Sequence, residues 1–204
     1  MFIDISRPIH PDMAIYPNNP GVSMEPVQTA SADQSGLTTI TLGSHTGTHI
    51  DALSHIKANG SGIEQFDLNQ FIGPVDVVEI PNDTSVITAQ DIPETTSPKI
   101  IFKTKNSERP INEFDPDFVA IDETAAQELV RRNIVLVGID ALSIKKKGVH
   151  DRVHAILLEA NIVILEGLYM ADVDAGKYNL ICLPLSIAGI DGVPARAVLS
   201  SYGN

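Results

Sequence analysis

The sequence contains no tryptophan, one cysteine and few aromatic residues, which make up 5% of its 204 residues. A single cysteine excludes a disulfide bond within the chain. Cys182 lies in the apolar run LICLPL and is predicted to belong to the core rather than to act as a nucleophile. No apolar run approaches the roughly 20 residues of a membrane-spanning helix, and the opening MFIDIS lacks the pattern of a leader. These absences predict a cytoplasmic protein without a membrane partner.

Basic residues are also scarce, because 14 Lys and Arg stand against 26 Asp and Glu, for a formal net charge of −12 at pH 7. Such a chain repels phosphates, which argues against nucleic acid as a partner. At 204 residues and 43% hydrophobic, the chain can bury a sizeable core. We see no repeat, low-complexity segment or domain boundary, and we expect one domain over residues 1–204 that acts on a small molecule.

Three of the six histidines fall in the short stretch 44–55, which reads SHTGTHIDALSH. They are His45, His49 and His55, and Asp51 lies among them. Imidazole nitrogens with a carboxylate oxygen suit Zn, Mn or Fe rather than Ca or Mg. His45, His49 and Asp51 are predicted to bind a metal, and His55 to lie close to it without binding. The alternative is a polar loop whose histidines are solvated.

The local structure of this stretch is predicted from Gly47. The spacing of His45 and His49 would place both on one face of a helix. However, Gly47 between two threonines, just after the strand-like run 37–42, argues against a regular helix. We expect a tight turn at the end of a strand, in which Gly47 lets the backbone approach the metal.

A second pair of ligand-type residues, His154 and Glu166, is separated by twelve positions. The run 155–160 is predicted to form a short helix, and 162–165 a buried strand. The helix and the returning strand cover similar lengths in opposite directions, so both residues can lie at one edge of the fold. If Asp51 bridges, the ligands suffice for two metals. His150, four residues before His154, is the competing ligand, and Glu166 can instead be a solvated strand end.

These motifs resemble the cyclase family that includes the bacterial kynurenine formamidases (arylformamidases) and the isatin hydrolases. The resemblance is carried by H-x-G-T-H-x-D-x-x-x-H, by the later His and Glu twelve apart, and by the two ends, FIDISRPIHPDMAIYPNNP and LPLSIAGIDGVPARAVL. It implies a β-rich mixed α/β domain of the swivelling β/β/α type, assembled as a homodimer or larger homo-oligomer. It also implies one or two Zn²⁺ per chain, with Mn²⁺ as the alternative.

The resemblance assigns roles to individual residues. His45, His49 and Asp51 would bind one metal, Asp51, His154 and Glu166 the second, and His55 would be the acid/base. Two positions depart from the family pattern. Leu53 replaces a proline that often follows Asp-Ala, and we expect only a small backbone adjustment. Tyr16 occupies the place of a tryptophan that contacts the substrate in the kynurenine formamidases, which leaves the substrate more open than the chemistry.

The predicted activity is the hydrolysis of an amide by metal-activated water, with the proton carried by His55. N-formylkynurenine is the leading substrate, and it would give kynurenine and formate. A cyclic amide or imide of the isatin type, opened by the same attack, is the nearest alternative. A metal-binding or small-molecule-binding protein without turnover is the third, although His55 in addition to sufficient ligands argues against it.

Periodicity and turn residues place these motifs in a strand-rich chain. Strands are predicted over 2–5, 22–29, 37–42, 75–80, 99–103, 134–139, 162–165, 179–183 and 195–199. Helices are predicted over 67–71, 122–132 and 155–160, with a single turn at 88–92. The segment 104–116 is predicted to be a loop that borders the site. Asp140 and Ser143 follow a strand end, where functional groups, caps and turns are all found.

Overall fold

A computed structural model describes residues 1–203, in which twelve strands alternate with four α-helices. The strands are β1 (Phe2–Asp4), β2 (Ser23–Gln28), β3 (Leu37–Thr41), β4 (His49–Asp51), β5 (Ile72–Glu79), β6 (Val86–Ile87), β7 (Lys99–Lys103), β8 (Ala120–Ile121), β9 (Leu136–Ile139), β10 (Val163–Glu166), β11 (Gly176–Pro184) and β12 (Gly192–Ser201). The helices are α1 (Ala30–Asp33), α2 (Leu68–Phe71), α3 (Glu123–Arg131) and α4 (Val153–Glu159). Single 3₁₀ turns lie at Leu53–His55, Ile63–Gln65, Ala89–Asp91 and Lys105–Glu108.

The main sheet has eight strands in the order β1-β12-β11-β5-β7-β9-β10-β4. A further pairing of β12 with β4 closes seven of these strands on one another, so the sheet resembles a barrel. Strands β5, β7, β9 and β10 run parallel, and the remaining pairs are antiparallel. Closure gives each of the seven strands two partners and places β4 between β10 and β12, whereas β1 pairs with β12 alone among residues 1–203.

One continuous hydrophobic core lies against this sheet. The apolar run of β9 is fully buried between two parallel neighbours, as its unbroken hydrophobicity predicts. Helix α3 begins at the cap Asp122, whose carboxylate accepts from the Ala125 N–H, and Asn133 follows its end with a left-handed φ of 56°. Helices α3 and α4 pack against each other, as the predicted strand-helix-strand succession requires. The strand-rich α/β fold predicted from the sequence is confirmed.

Strands β2 and β3 form a separate antiparallel hairpin. All five residues of β3 are exposed, and the side chains of Val27, Leu37 and Ile40 are each more than half exposed. Strand β2 contains Pro26 and pairs with β3 alone within residues 1–203, as is typical of a proline-containing edge strand. The hairpin therefore projects from the domain with its apolar side chains uncovered.

Three expectations need correction. Residues His49–Asp51 form strand β4 rather than part of a turn, because Ile50 between them is fully buried in the core. The predicted loop 104–116 contains a 3₁₀ turn, Lys105–Glu108, capped by the Thr104 hydroxyl. His150 precedes α4 and does not share a helical face with His154. Within the part of the chain that the structure describes, no helix is long and apolar enough to cross a membrane.

Candidate metal centre

Strand β4 places two ligand-type side chains on one face of the sheet. His49 and Asp51 are two residues apart in an extended strand, so they point to the same side while Ile50 points into the core. Across β10, His49 pairs in register with Glu166. Across β12, Asp51 pairs with Gly192. Strand register therefore positions His49, Asp51 and Glu166, whereas His45 comes from the turn before β4 and His154 from α4.

Gly47, in the turn before β4, contacts Gly167 at the end of β10, and both positions require glycine. Gly47 has a φ of 64° and Gly167 a φ of 68°, a region that favours glycine. A Cβ on Gly167 would overlap the carbonyl group of Gly47. The close approach brings the end of β10 against the histidine stretch, and it orients the Gly47 carbonyl oxygen toward His49 Nδ1 at 2.9 Å. The predicted glycine turn is present, and its backbone contacts a ligand side chain.

Four of the predicted ligands approach one another closely around Asp51. His45 Nδ1 lies 2.8 Å from Asp51 Oδ1, and His49 Nε2 lies 3.5 Å from the same oxygen. His154 Nε2 lies 3.4 Å from Asp51 Oδ2. One ligand atom from each of His45, His49 and Asp51 falls within a sphere that could hold an ion.

Glu166 completes the cluster from β10. Its Oε2 lies 3.3 Å from His49 Nε2, and its Oε1 lies 3.4 Å from His154 Nε2. Oε1 also accepts from the backbone N–H of Ile144 at 2.7 Å. His154 in the first turn of α4 and Glu166 at the end of β10 thus meet at one edge of the fold, as their separation in the sequence predicted.

The two carboxylates control the protonation of the histidines around them. Burial lowers the pKa of His45, but Asp51 and Asp191 outweigh it and raise that pKa to about 9. Burial likewise opposes the effect of Asp51 and Glu166 on His154, whose pKa rises to about 10. Burial would raise the pKa of Asp51, yet the surrounding imidazoles hold it well below its usual range. The two carboxylates therefore favour positive charge on the imidazoles of the metal-free chain, and they would favour a bound cation for the same reason.

Unpaired buried atoms show that these residues fit a metal. His49 Nε2 and Asp51 Oδ2 are buried and have no hydrogen-bond partner among residues 1–203. Their neighbours lie at 3.3 to 3.5 Å, without hydrogen-bond alignment. Unpaired buried polar atoms are costly, and a cation between imidazole nitrogens and carboxylate oxygens would satisfy them. His49 donates Nδ1–H to the Gly47 carbonyl, so its Nε2 lone pair faces the cluster, as in metal-binding histidines.

A cavity of about 460 Å³ opens onto the cluster. His55 lies at its edge, with a side chain 34% exposed, and its ring centroid is 4.3 Å from that of His45 and 5.4 Å from that of His154. Burial lowers the pKa of His55, in the direction opposite to that of its two histidine neighbours. Tyr16 lines the same cavity and packs edge-on against Phe114, with ring centroids 5.3 Å apart.

Other cavity residues include two basic side chains that the sequence analysis did not single out. Lys145 and Arg152 both line the wall, together with Asn19, Ile56 and Ser143. Lys145 Nζ lies 3.1 Å from Asp151 Oδ1. Arg152 Nη2 lies 3.6 Å from Glu159 Oε2, so each basic side chain has a carboxylate of the chain beside it.

Asp191 is a site residue that the sequence analysis missed. Its Oδ2 lies 3.0 Å from His45 Nε2 and 4.0 Å from His55 Nδ1. A signal was present, since this aspartate lies within the C-terminal motif GIDGVPARAVL, between Gly189 and Gly192. Flanking glycines are typical of a turn, and no spacing rule links a residue at 191 to one at 45.

The remaining candidates lie elsewhere or have another contact. His150 is exposed and belongs to none of the histidine-carboxylate groups among residues 1–203 that could hold an ion. Asp140 is fully buried and accepts from Thr104, Asn106 and Ser107. Ser143 lines the cavity.

Comparison with known proteins agrees with this geometry. Residues 3–146 match the model of the family described as "Putative cyclase". A kynurenine formamidase from Salinibacter ruber is 34% identical over 203 residues, which cover 97% of this chain and 96% of the relative. Among solved structures, a predicted metal-dependent hydrolase from Bacillus stearothermophilus is 32% identical with a TM-score of 0.84, covering 98% of this chain and 97% of the other. An isatin hydrolase bound to thioisatinate, 22% identical with a TM-score of 0.84, covers 97% of this chain and 91% of its own and shares the fold.

The fold and the histidine-carboxylate centre define a metal-dependent hydrolase that acts on amide C–N bonds. The chain belongs to the cyclase family, as the family match and the relative at 34% identity show. The resemblance read from the sequence is confirmed.

Proposed function

We propose that this protein is an arylformamidase that hydrolyses N-formylkynurenine, or a closely similar N-formyl aryl amide, to formate and the free aryl amine. The observation that carries the proposal is the position of His55. It lies beside His45 and His154, at the edge of the 460 Å³ cavity that Tyr16 lines. The relative named kynurenine formamidase supports the substrate.

We assign His45, His49 and Asp51 to one metal and Asp51, His154 and Glu166 to a second. The distances within these sets support the assignment, since His49 Nε2 lies 3.5 Å from Asp51, and His154 Nε2 lies 3.4 Å from both Asp51 and Glu166. Zn²⁺ or Mn²⁺ bound there supplies a Lewis acid and a water that ionises near neutral pH. The choice between the two ions, the number bound and a cytoplasmic location stay predictions, as does a single hydrolase domain over residues 1–204.

The protein's own residues carry the proton and hold the substrate. His55 takes a proton from the attacking water and returns it to the leaving nitrogen, which departs as the aryl amine. The wall of the cavity shields the reacting atoms, and Tyr16 stacks on the aryl ring of the substrate, fixed from behind by Phe114. Lys145 and Arg152 lie in the wall and would exchange their partners Asp151 and Glu159 for the α-carboxylate of N-formylkynurenine, a group that a neutral cyclic amide lacks.

The test is hydrolysis of N-formylkynurenine by protein loaded with Zn²⁺ or Mn²⁺, with His55→Ala and His150→Ala compared under the same conditions. We expect His55→Ala to retain its metal and to lower kcat by about 10²- to 10⁴-fold. His150→Ala, at an exposed histidine outside the cluster, should match the parent protein. Loss of metal from His55→Ala would show that the role of His55 is wrongly assigned.

The same assay distinguishes the substrates. Metal-loaded protein that opens isatin but leaves N-formylkynurenine intact would contradict the arylformamidase proposal and favour the cyclic-amide alternative. Binding of both without hydrolysis of either would favour a non-catalytic protein. Metal analysis of each sample is required, since only fully loaded protein tests the substrate.

We propose further that two or more copies of the chain assemble through the β2–β3 hairpin. A two-stranded sheet alone in water is marginally stable, and this hairpin leaves Val27, Leu37 and Ile40 uncovered. Light scattering after size exclusion should give a dimer or larger species. Leu37→Asp combined with Ile40→Asp should reduce it to monomer, whereas Val149→Asp, an exposed apolar position before α4, should not. A monomeric parent protein at micromolar concentration would contradict this assembly.

A further inference from the structure

The loop between β11 and β12 is fastened to the histidine stretch by its backbone. The Ala52 N–H donates to the carbonyl oxygen of Asp191 at 2.8 Å, directly after β4. Gly192, the next residue, pairs in register with Asp51. Asp191 therefore has a fixed position relative to β4, although its side chain is 46% exposed.

Both ring nitrogens of His45 have a carboxylate partner, and the two partners differ. Nδ1 faces Asp51 Oδ1 at 2.8 Å, on the side where His49 Nε2 and the buried oxygens gather. Nε2 faces Asp191 Oδ2 at 3.0 Å, on the side away from that cluster. Only one nitrogen of an imidazole can bind a given metal, and here Nδ1 is the one directed at the centre.

His49 shows the same division with the nitrogens exchanged. Its Nδ1 contacts the Gly47 carbonyl oxygen at 2.9 Å, and its Nε2 faces Asp51 and Glu166. A metal-binding histidine almost always donates its second ring N–H to a carbonyl or carboxylate, which fixes the tautomer and the ring orientation. For His49 that acceptor is main chain, and for His45 it is Asp191.

We propose that Asp191 is a positioning residue for the metal centre, which accepts the Nε2–H of His45 and thereby holds the Nδ1 lone pair toward the metal. The inference rests on the proposed metal assignment of His45. Gly192 makes the arrangement sterically feasible, because a Cβ there would lie 2.6 Å from His45 Cε1. Asp191 Oδ2 also lies 4.0 Å from His55 Nδ1, so this carboxylate lies close to both His45 and His55.

A competing arrangement uses the same atoms. His45, His55 and Asp191 each offer one ligand atom within reach of a common ion, so Asp191 could be a direct ligand. In that arrangement removal of the carboxylate would abolish binding of one ion. In the positioning role its removal weakens binding without changing the number of ions.

The test measures metal binding without any substrate. Zn²⁺ affinity and stoichiometry are determined by competition with a chromogenic chelator for the parent protein, Asp191→Ala, Asp191→Asn and the control Asp83→Ala, an exposed aspartate in the turn after β5. We expect Asp191→Ala to bind the same number of ions with affinity lowered about 10- to 100-fold. Asp191→Asn, whose amide oxygen still accepts from Nε2–H, should recover part of the loss, and Asp83→Ala should show none.

A spectroscopic measurement reads the tautomer itself. In Zn²⁺-loaded protein with ¹⁵N-labelled histidine, the Nε2–H of His45 should give a slowly exchanging proton signal that disappears in Asp191→Ala. Unchanged affinity in Asp191→Ala, or loss of one equivalent of Zn²⁺, would overturn the proposal. Because no substrate is involved, the result does not depend on whether the protein hydrolyses N-formylkynurenine.

Discussion

Two aspartates, Asp51 and Asp140, are both fully buried, but their surroundings differ completely. Asp140 accepts five hydrogen bonds, from the backbone N–H and hydroxyl groups of Thr104 and Ser107 and from the Asn106 amide. Asp51 receives one aligned contact, from His45, and its Oδ2 has no hydrogen-bond partner among residues 1–203. Hydrogen bonds within the chain therefore satisfy the Asp140 carboxylate, whereas the Asp51 carboxylate keeps an oxygen without a hydrogen-bond partner among residues 1–203.

Their pKa values move in opposite directions for this reason. Burial raises the pKa of Asp140, and the neutral donors around it offset that only in part. Burial acts on Asp51 in the same sense, but the imidazoles of His154 and His45 reverse it. A buried carboxylate that accepts from neutral donors connects chain segments. A buried carboxylate that is surrounded by imidazoles, and that has one oxygen without a hydrogen-bond partner, is arranged to bind a cation. Burial alone therefore does not identify a metal ligand, and the partners of each oxygen do.

The largest effect on stability is expected at Asp140. Asp140→Ala leaves the donors of Thr104, Asn106 and Ser107 unpaired in the interior, so the free energy of unfolding should fall by about 4 kcal/mol. Urea denaturation of the metal-free protein measures it, with Asp83→Ala as the control. Any Asp140→Ala protein that still folds should bind the same number of metal ions as the parent protein. A loss below about 1 kcal/mol would show that the hydrogen-bond network is not structural.

Replacing Asp51 should abolish metal binding, which the replacement of Asp140 leaves intact. The isosteric Asp51→Asn removes the charge shared by both proposed sites, so the variant should bind neither ion. At free metal about 100-fold above Kd, the parent protein gains about 2.7 kcal/mol from binding, which raises its Tm by several degrees. Thermal unfolding with and without Zn²⁺ should show this rise for the parent and none for Asp51→Asn. A variant that keeps its full metal content would contradict the bridging role.

Replacing Gly192 tests how strongly metal binding depends on the position of the His45 ring. A Cβ at this position would lie 2.6 Å from His45 Cε1 and 2.9 Å from Nε2, so the ring must move away from both Asp191 and Asp51. Gly192→Ala should weaken Zn²⁺ binding about tenfold, or about 1.4 kcal/mol, in the chelator competition. Gly21→Ala is the matched control, because a Cβ there meets nothing within 4 Å. Equal affinities for the two variants would indicate that His45 tolerates displacement.

The sequence predicted the ligand-type residues of this centre but not Asp191 or the strand pairings that bring them together. His45, His49 and Asp51 lie close in sequence, and their ligand chemistry was readable from spacing and composition alone. His154 and Glu166 were placed together by the lengths of a helix and a strand, and the structure brings them within 3.4 Å. The pairing of β4 with both β10 and β12 was not readable, because strand register depends on closure of the whole sheet.

Asp140 shows the same limit. Its position after a strand end was visible, but functional group, cap and turn could not be distinguished. The deciding contacts come from Thr104 to Ser107, more than thirty residues away. A segment predicted to border the site instead satisfies a buried carboxylate, because a capped 3₁₀ turn there points its donors inward. Sequence patterns identify which groups can do chemistry, and tertiary partners decide which of them are left free to do it.

Cys182 provides a third buried titratable group and the smallest expected effect. It lies in β11 with no exposed surface, and burial raises the pKa of its thiol to about 12. The native thiol should therefore stay neutral and react negligibly with a disulfide reagent at pH 8, and it should react fully in denaturant. The metal-free protein is the control, since a thiol protected by a metal would become reactive when the metal is removed. Rapid reaction of the native, metal-free protein would contradict the burial of this thiol in the core.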